Sequence, residues 1–344
     1  MIRYTIRRLL WGSTVILAVT LAVFVLFGPV MQWKRSTVEP ARIYAGKNAQ
    51  PEQIERVRKV MGLDKPFYEQ YGIMIRRLVL GPSDTDKERL CPNSTPAECN
   101  DLVGRLGQSF EKRRSVDKLI VDRLSVTFSL ALVGAIIWMV IAIPIGVLSA
   151  IRPRSFFDRV TVVFILIGQS LPVYYIGLVA LYFLAYTNKI FPQGGYETFR
   201  WTDPWPWLSH LLLPGMVLAL QFTALYARLV RGGMLDALGE DYVRTARAKG
   251  ASERRTVVRH ALRNALLPIV TLFGLDLGIL LGGAILTEYT FGLQGIGQLS
   301  VDAANRFDVP TTAGIVLFAA VCIVLANIVV DLLLAVVDPR IRLT

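Results

Sequence analysis

Six long runs with almost no charged side chains dominate this sequence. Four contain no Asp, Glu, Lys or Arg, and the other two carry one aspartate each, Asp276 and Asp331. The runs are Leu9–Met31, Val126–Ile151, Val160–Asn188, Leu208–Ala227, Leu266–Thr287 and Thr311–Val337. About 20 apolar residues cross the hydrocarbon core of a bilayer, and none of the runs alternates apolar and polar residues as a barrel strand does. The pattern predicts an all-α polytopic membrane protein with six transmembrane helices.

The composition excludes several other classes of protein. Apolar residues make up 53% of the 344 and charged residues 19%, and the mean hydropathy is +0.47. The net charge is nevertheless +12, and these charges lie between the uncharged runs instead of along amphipathic helices. A disordered chain, a small disulfide-built scaffold and an ordinary globular enzyme are therefore excluded.

The basic residues indicate how the chain is oriented in the membrane. The connection between the fourth and fifth runs carries nine Lys and Arg against four acids, and the N-terminus, the second connection on that side and the C-terminus are also basic. The short connections on the opposite side carry only Lys189, Arg200 and Arg306. By the positive-inside rule, both termini are predicted to be cytoplasmic.

A cleaved signal peptide is an alternative interpretation of the first run, because Met1–Arg8 is basic. The run is longer than the usual signal core of about 7–15 residues, and no clear A-x-A site follows it. We therefore expect it to be retained as the first span.

The segment 32–118 is long enough to form a small module outside the membrane. Pro51–Met61 and Pro66–Leu80 are predicted to be helices, and the second is amphipathic. Its apolar face comprises Phe67, Tyr71, Met74, Ile75 and Leu78. We therefore predict three regions: 1–31 with the first span, 32–118 as the outer module, and 119–344 as a membrane core of five helices.

Two of the three cysteines, Cys91 and Cys99, lie close together in this outer segment. On the oxidising side of the membrane they are candidates for a disulfide, with two separate thiols as the alternative. Cys322 lies inside the sixth run. No metal site is expected, because the only histidines, His210 and His260, fall on opposite sides of the membrane.

The chain lacks motifs for catalysis or nucleotide binding. It has no G-x-x-x-x-G-K-[ST] phosphate loop, no nucleophile elbow and no H-E-x-x-H, so no catalytic residue and no cofactor are predicted in it. An acid at membrane depth is by default a functional candidate, and Asp276 is the candidate for a translocation path. Gln169, Gln221 and Asn327 are expected to join helices. For a chain with such an acid, an autonomous ion-coupled carrier is one candidate class of protein.

The connection between the fourth and fifth runs has the most specific pattern. It predicts two short helices that meet at Gly250, the first over Tyr242–Lys249 and the second after Ser252 as a candidate N-cap. The first places Tyr242, Ala246 and Lys249 on one face, and the apolar side of the second comprises Val257, Val258, Ala261, Leu262 and Leu266. Small residues here permit close approach of another protein, whereas the arginines equally suit a helix lying on anionic lipid.

This stretch, RTARAKGASERRTVVRHALRNALLP, resembles the cytoplasmic coupling motif of ATP-binding-cassette importer permeases, in the form of the dipeptide, oligopeptide and nickel branch. The general motif begins Glu-Ala-Ala with its glycine nearer the proline. Here the triplet is Arg244-Thr245-Ala246 and Gly250 lies 18 positions before Pro268, as is typical of that branch. The stretches RYTIRRLLW, QSLPVYYIGL, TEYTFGLQGIGQL and DPRIR are similar to the same branch. The resemblance covers almost the whole chain except a longer loop around Cys91 and Cys99.

The resemblance implies a type I importer permease fold with an enlarged extracytoplasmic loop, in the inner membrane of a bacterium or archaeon. The expected partners are a second homologous permease, two ATPase subunits that hydrolyse ATP, a solute-binding protein and membrane lipid, but no nucleic acid. The expected solutes are di- or oligopeptides, with nickel or another small solute as the alternative. Coupling helices at about 240–262 are expected to dock into one ATPase. The residues assigned to docking are Tyr242, Arg244, Thr245, Ala246, Arg247, Ala248, Gly250, Ala251, Glu253 and Arg254.

Overall fold

The structure, a computed structural model, consists of helices and the segments that connect them in the residues that it describes. These residues are 2–32, 49–60, 64–84, 87, 99 and 101–337. Among them there is no β-strand, only the two isolated bridges Gly104–Gly107 and Gln108–Ser115. The prediction of an all-α fold is confirmed.

The helices divide the described chain as follows. In chain order they are α1 (Ile2–Gln32), α2 (Pro51–Val60), α3 (Phe67–Leu80), α4 (Val116–Ile151), α5 (Phe156–Ser170), α6 (Val173–Ala180), α7 (Trp205–Gly239), α8 (Asp241–Ala248), α9 (Glu253–Arg255), α10 (Leu262–Ala265), α11 (Leu267–Leu281), α12 (Ile285–Thr290), α13 (Ile296–Asn305) and α14 (Val309–Val337). Two π-helical segments extend the shorter helices: π1 (Leu181–Thr187) follows α6, and π2 (Thr256–Ala261) joins α9 to α10. The two helices predicted in the outer segment are confirmed as α2 and α3, except at Met61, which lies outside the described residues.

Four helices are long and apolar enough to cross a membrane on their own. The stretches that qualify are Ile6–Phe27, Val116–Ile151, Trp205–Gly239 and Val309–Leu332. Two bent pairs also qualify: α5 with α6–π1, bent by 98°, and α9–α10 with α11, bent by 50°. The part of the chain that the structure describes thus holds four spans, or up to six if each bent pair is one span. The number six stays a prediction.

The third uncharged run does not form one continuous helix. Leu171 (φ −91°, ψ 131°) and Pro172 (φ −63°, ψ 131°) are both extended. A proline disfavours helical backbone at the residue before it and has no N–H to donate to the carbonyl of Gly168. The Leu171–Pro172 pair therefore ends α5 at Ser170, and a new helix begins at Val173.

The chain divides into two compact units. One comprises residues 126–294 and the described residues from 326 onward, and the other comprises 2–125 and 295–325. These units differ from the three regions predicted from the uncharged runs. Those regions, 1–31, 32–118 and 119–344, stay predictions.

Aromatic side chains form the centre of the unit that contains α7. Trp138 of α4 is fully buried and stacks on Phe222 of α7, with ring centroids 4.5 Å apart. The edge of Phe273 from α11 lies against the same indole at 5.8 Å. Full burial of Trp138 and partial burial of Phe222 and Phe273 contribute several kcal/mol of hydrophobic stabilisation, so this cluster holds α4, α7 and α11 together.

In the other unit, α3 packs against α1 through the apolar face predicted from its sequence. The ring of Phe24 in α1 lies 4.5 Å from that of Phe67 and 5.2 Å from that of Tyr71. The Tyr71 hydroxyl also lies 3.3 Å from the hydroxyl of Thr20. No residue of α3 is fully buried, as expected for a helix that covers its neighbour from one side.

Asp308 ties the end of the outer segment to the start of α14 within this same unit. Its buried carboxylate accepts hydrogen bonds from the hydroxyls of Ser109 and Thr311 (2.7 Å for Thr311) and from the N–H of Phe110 (3.0 Å). A carboxylate with three donors offsets most of the cost of its burial. The segment around Ser109 and Phe110, which lies before α4 and belongs to no helix, is thereby fixed.

Cys99 is buried and disulfide-bonded, whereas Cys322 is a free thiol. Cys91 lies outside the described residues. The Cys91–Cys99 pair therefore stays a prediction.

Candidate functional site

The turn between α8 and α9 is built around Gly250, as the sequence predicts. Gly250 has φ +81°, its N–H bonds the carbonyl of Arg247 at 2.9 Å, and the N–H of Ala251 bonds the carbonyl of Ala246 at 3.1 Å. These two bonds form a Schellman motif, which needs a left-handed residue at this position. A Cβ added to Gly250 would meet nothing within 4 Å. Within this chain, therefore, the glycine is required for its backbone conformation, and the space beside it is open.

The helix that follows the turn differs from the prediction in two details. Ser252 has the extended backbone of an N-cap (ψ 150°), but its side chain makes no capping hydrogen bond. Val258, predicted to be on the apolar side, is 54% exposed, whereas Thr256 and Val257 are buried. The cause is π2, where the N–H of Leu262 bonds the carbonyl of Val257. The wider π turn inserts one residue and rotates the face that α-helical periodicity assigns.

The coupling segment, defined here as residues 240–266, packs firmly on the last turns of α7. Val243 is fully buried in a core that also contains Met234 and Ala237 of α7. A Cβ at Gly233 would lie 3.4 Å from the Cβ of Ala265, so the two backbones come close there. The face that the sequence assigned to Tyr242, Ala246 and Lys249 is not the buried one, because the side chain buried in this core is Val243. The segment is thus attached to α7 at both Val243 and Ala265.

The residues assigned to docking lie together on the outside of this segment. Eight of the ten are exposed, and Ala246 and Ala251 are partly buried. Arg247 and Glu253 form a bidentate pair across the Gly250 turn, with Nη2–Oε1 at 2.7 Å and Nε–Oε2 at 3.2 Å. Hydrogen bonding to Glu253 raises the pKa of the Arg247 guanidinium, so this side chain stays charged. The pair ties the start of α9 to the end of α8.

A buried ion pair beside the coupling segment was not anticipated from the sequence. Asp158 at the start of α5 is 4% exposed and binds Arg231 of α7, with Nε–Oδ1 at 2.7 Å and Nη2–Oδ2 at 3.0 Å. The N–H of Arg154 donates to the Asp158 carboxylate at 2.8 Å. The hydroxyl of Ser149 from α4 also donates to it. One local signal marks Asp158 but not its partner: Ser155 caps α5 by accepting the N–H of Asp158, the S-x-x-D spacing of a helix start. The network joins α4, α5 and α7.

A second buried acid is Glu288 in α12, directly after the fifth uncharged run. It is fully buried and accepts hydrogen bonds from the hydroxyl of Thr127 at 2.8 Å and from the N–H of Ala284 at 3.3 Å. The bond from Thr127 fixes α12 to α4, and the bond from Ala284, the N-cap residue of α12, closes the first turn of that helix.

Asp276, the candidate path residue, forms a hydrogen bond between two helices. The hydroxyl of Tyr226 in α7, which is fully buried, donates to Asp276 of α11 over 2.6 Å. The Asp276 side chain is partly exposed. Its role in the path stays a prediction, and this bond supplies a test.

Replacing Asp276 with Asn is expected to leave assembly intact and uptake within about twofold of wild type, because an amide oxygen still accepts the Tyr226 hydroxyl. Tyr226→Phe is expected to cost about 2 kcal/mol of stability, the value of a hydrogen bond to a charged group. Both variants are compared by thermal melting of the purified complex and by solute uptake. Loss of uptake in Asp276→Asn with normal melting would instead assign the charge to the path.

Among the described residues, no three His, Cys, Asp or Glu side chains are grouped so that they could hold a metal ion. The residues around Gly250 form an exposed surface made of a turn at a left-handed glycine, an ion pair that joins α8 to α9, and a packed attachment to the membrane-length helix α7. Such an arrangement suits the transmission of movement between a partner protein and α7.

Comparison with known proteins identifies the class. The family described as binding-protein-dependent transport system inner membrane component matches residues 142–343. The N-terminal region of membrane components of the same transport systems matches residues 1–131. The chain therefore belongs to the family of inner-membrane components of binding-protein-dependent transport systems.

Individual relatives match over the full length of the chain. The oligopeptide transport system permease protein AppB of Bacillus subtilis is 35% identical over 343 residues, covering 99% of this chain and all of that protein. The dipeptide transport system permease protein DppB of Escherichia coli is 33% identical over 365 aligned positions, covering 99% of each chain. Membership in a permease family agrees with the apolar helices of the structure.

Proposed function

We propose that this chain is the permease subunit of an ATP-driven importer of di- or oligopeptides. The observation that carries the proposal is the full-length similarity to permeases named for oligopeptide and dipeptide transport. The chain forms half of the pathway, and a second, homologous permease forms the other half. An extracytoplasmic binding protein delivers the peptide, and two ATPase subunits hydrolyse ATP, so the chain itself needs no catalytic residue and no cofactor.

The coupling segment is the proposed contact with one ATPase. Its exposed residues around Gly250 enter a groove of that subunit, and the Arg247–Glu253 pair lies at the rim, where charges tune pairing more than affinity. Because Val243 and Ala265 pack on α7, closure of the ATPases shifts α7 together with the segment. That shift biases the permease between its inward-facing and outward-facing states.

The orientation follows from the basic connections. Arg152, Arg154 and Arg159 precede or begin α5, and the basic coupling segment follows α7. Both therefore lie in the cytoplasm together with the two termini, in the inner membrane of a bacterium or archaeon. Exposed basic side chains of the coupling segment that do not meet the ATPase contact anionic lipid.

Copurification with its genomic neighbours tests the proposal against the other classes. We expect the tagged chain to form a stable complex with a second permease and two ATPases, and the complex in proteoliposomes to take up peptides only with binding protein and ATP. ATP-driven uptake of nickel but of no peptide would redirect the proposal to the small-solute alternative. Uptake by the isolated chain driven by an ion gradient would contradict it and support a carrier.

A further inference from the structure

The break between α5 and α6 places polar groups at a depth where lipid cannot satisfy them. α5 ends at Ser170, and Pro172 has no N–H for the carbonyl of Gly168. The last carbonyl groups of a helix and the first N–H groups of the next have no partners within their own helices. Irregular backbone at membrane depth is tolerated where it is buried in protein or lines a water-filled cavity.

Contacts with α7 fix the break near the middle of the membrane. A Cβ at Gly168 would lie 3.1 Å from the Cβ of Ala224 and 3.7 Å from the carbonyl oxygen of Leu220. A Cβ at Gly177 would lie 3.1 Å from Cγ2 of Thr290 and 3.4 Å from a ring carbon of Phe291, both just past the fifth uncharged run, and 3.6 Å from Cγ1 of Val217 on α7. The break lies between these two glycines. It is therefore level with residues 217–224, around the centre of the uncharged run Leu208–Ala227.

Uncharged polar side chains are exposed at this same level. Gln169 and Ser170, the last two residues of α5, are exposed, and so is Gln221 on α7, next to Leu220. Gln169 and Gln221 were expected to join helices, but both side chains are exposed in this chain. Polar side chains near the bilayer centre are costly in lipid and face the bundle interior or water instead.

We propose that the break in the third run, together with Gln169, Ser170 and Gln221, lines the translocation path and hydrogen-bonds the main-chain amides of the peptide in transit. The inference rests on the proposed peptide importer and assigns part of its path. Discontinuous helices near the midplane form solute sites in other transporter folds by the same means.

The chemistry of the break suits peptides of any sequence. Amide side chains, a hydroxyl and helix-end backbone groups offer both donors and acceptors, which match the N–H and C=O groups that every peptide carries. No charged side chain occurs between Val160 and Asn188, so the break does not select by peptide charge. The exposed rings of Tyr174 and Tyr175, 49% and 54% exposed, present apolar faces to peptide side chains.

The test uses the complete complex in proteoliposomes with its binding protein. The probes are tritiated alanine peptides of two to five residues, with or without methyl groups on the amide nitrogens. We expect Gln169→Leu combined with Gln221→Leu to lower uptake of the unmethylated peptides per ATP hydrolysed about tenfold, as for the loss of one or two hydrogen bonds. Uptake of the methylated peptides changes less. Because one binding protein serves every variant, a change in the ratio of the two uptakes originates in the permease.

Two matched controls separate hydrogen bonding from structure. Gln169→Asn keeps the amide and is expected to retain most of the discrimination. Ser170→Ala is paired with Ser13→Ala in α1, because both hydroxyls bond the carbonyl four residues earlier, at 2.7 Å and 2.9 Å. Only Ser170→Ala is expected to lower uptake.

Three other outcomes would each contradict either the path assignment or the proposed function. If the wild-type complex imports the peptides and the double glutamine variant keeps the wild-type uptake ratio, the path assignment is wrong while the importer stands. If the double variant no longer copurifies with the second permease, the glutamines belong to the interface between permeases, and the path assignment is again wrong. If the wild-type complex shows no ATP-dependent uptake of any alanine peptide, the proposed function fails and this inference with it.

Discussion

Replacing Asp158 with Asn is expected to destabilise the protein by about 3 kcal/mol. Removing one partner of a buried ion pair costs roughly 3–5 kcal/mol, because the other charge is left without compensation. The lower end applies because the Arg231 side chain is 27% exposed, against 5% for that of Asp158, so water can reach part of the guanidinium. The measurement is the melting temperature of the purified complex, together with the fraction of the chain recovered in it.

A matched pair on the surface shows how much stability is lost when an exposed, ion-paired carboxylate is removed. Arg244 and Asp241 are also within ion-pair distance, at 3.3 Å, but their side chains are 72% and 95% exposed. Asp241→Asn is expected to cost less than about 0.5 kcal/mol, as exposed pairs do. If the two variants melt at the same temperature, the Asp158 network does not stabilise the fold.

Removing both charges separates the contribution of the Asp158 network to protein stability from its role in transport. Asp158→Leu combined with Arg231→Met is expected to recover much of the lost stability, because apolar replacements of a buried pair are often neutral. Its uptake is expected to stay below wild type. The network ties α5, which ends at the proposed path, to α7, which carries the coupling segment, and the apolar pair removes the directed contact between them. Full recovery of uptake would show that any stable packing suffices there.

Features that depend on neighbouring residues were predictable from the sequence. The uncharged runs locate the long helices, because about 20 apolar residues have no other stable arrangement than a spanning or fully buried helix. The turn at Gly250 was predictable because a left-handed residue after a helix is most often glycine. α3 was predictable because its apolar residues recur at helical spacing.

Features that depend on distant residues were not predictable in the same way. Asp158 binds Arg231, 73 positions away, and no local pattern gives that distance. The outward orientation of Val258 follows from π2, whose extra residue breaks the periodicity on which a helical face is inferred. The break at Pro172 has a local cause, but a proline in an apolar run also occurs inside continuous helices, as Pro144 does in α4. Tertiary packing decides between these two outcomes.

Replacing Gly250 with Glu is expected to uncouple ATP hydrolysis from uptake while leaving the chain in the membrane. The backbone there has φ +81°, a conformation that costs a non-glycine residue roughly 1–2 kcal/mol. The added side chain also projects into the open space that the proposed ATPase groove fills. Loss of a central docking contact of about 2 kcal/mol corresponds to a roughly 30-fold weaker contact. The readouts are copurified ATPase, ATP hydrolysis stimulated by binding protein, and peptide uptake.

Two control substitutions separate the docking role of Gly250 from its backbone role. Gly239→Glu introduces the same side chain at an exposed glycine that also has nothing within 4 Å of an added Cβ. Gly239 is not a left-handed residue and is not assigned to docking, so near-normal uptake is expected. Gly250→Asn tolerates the left-handed backbone and adds a smaller, uncharged group, so intermediate uptake is expected. If Gly250→Glu imports peptides as Gly239→Glu does, the turn does not enter the ATPase, and the coupling surface must lie elsewhere on the segment.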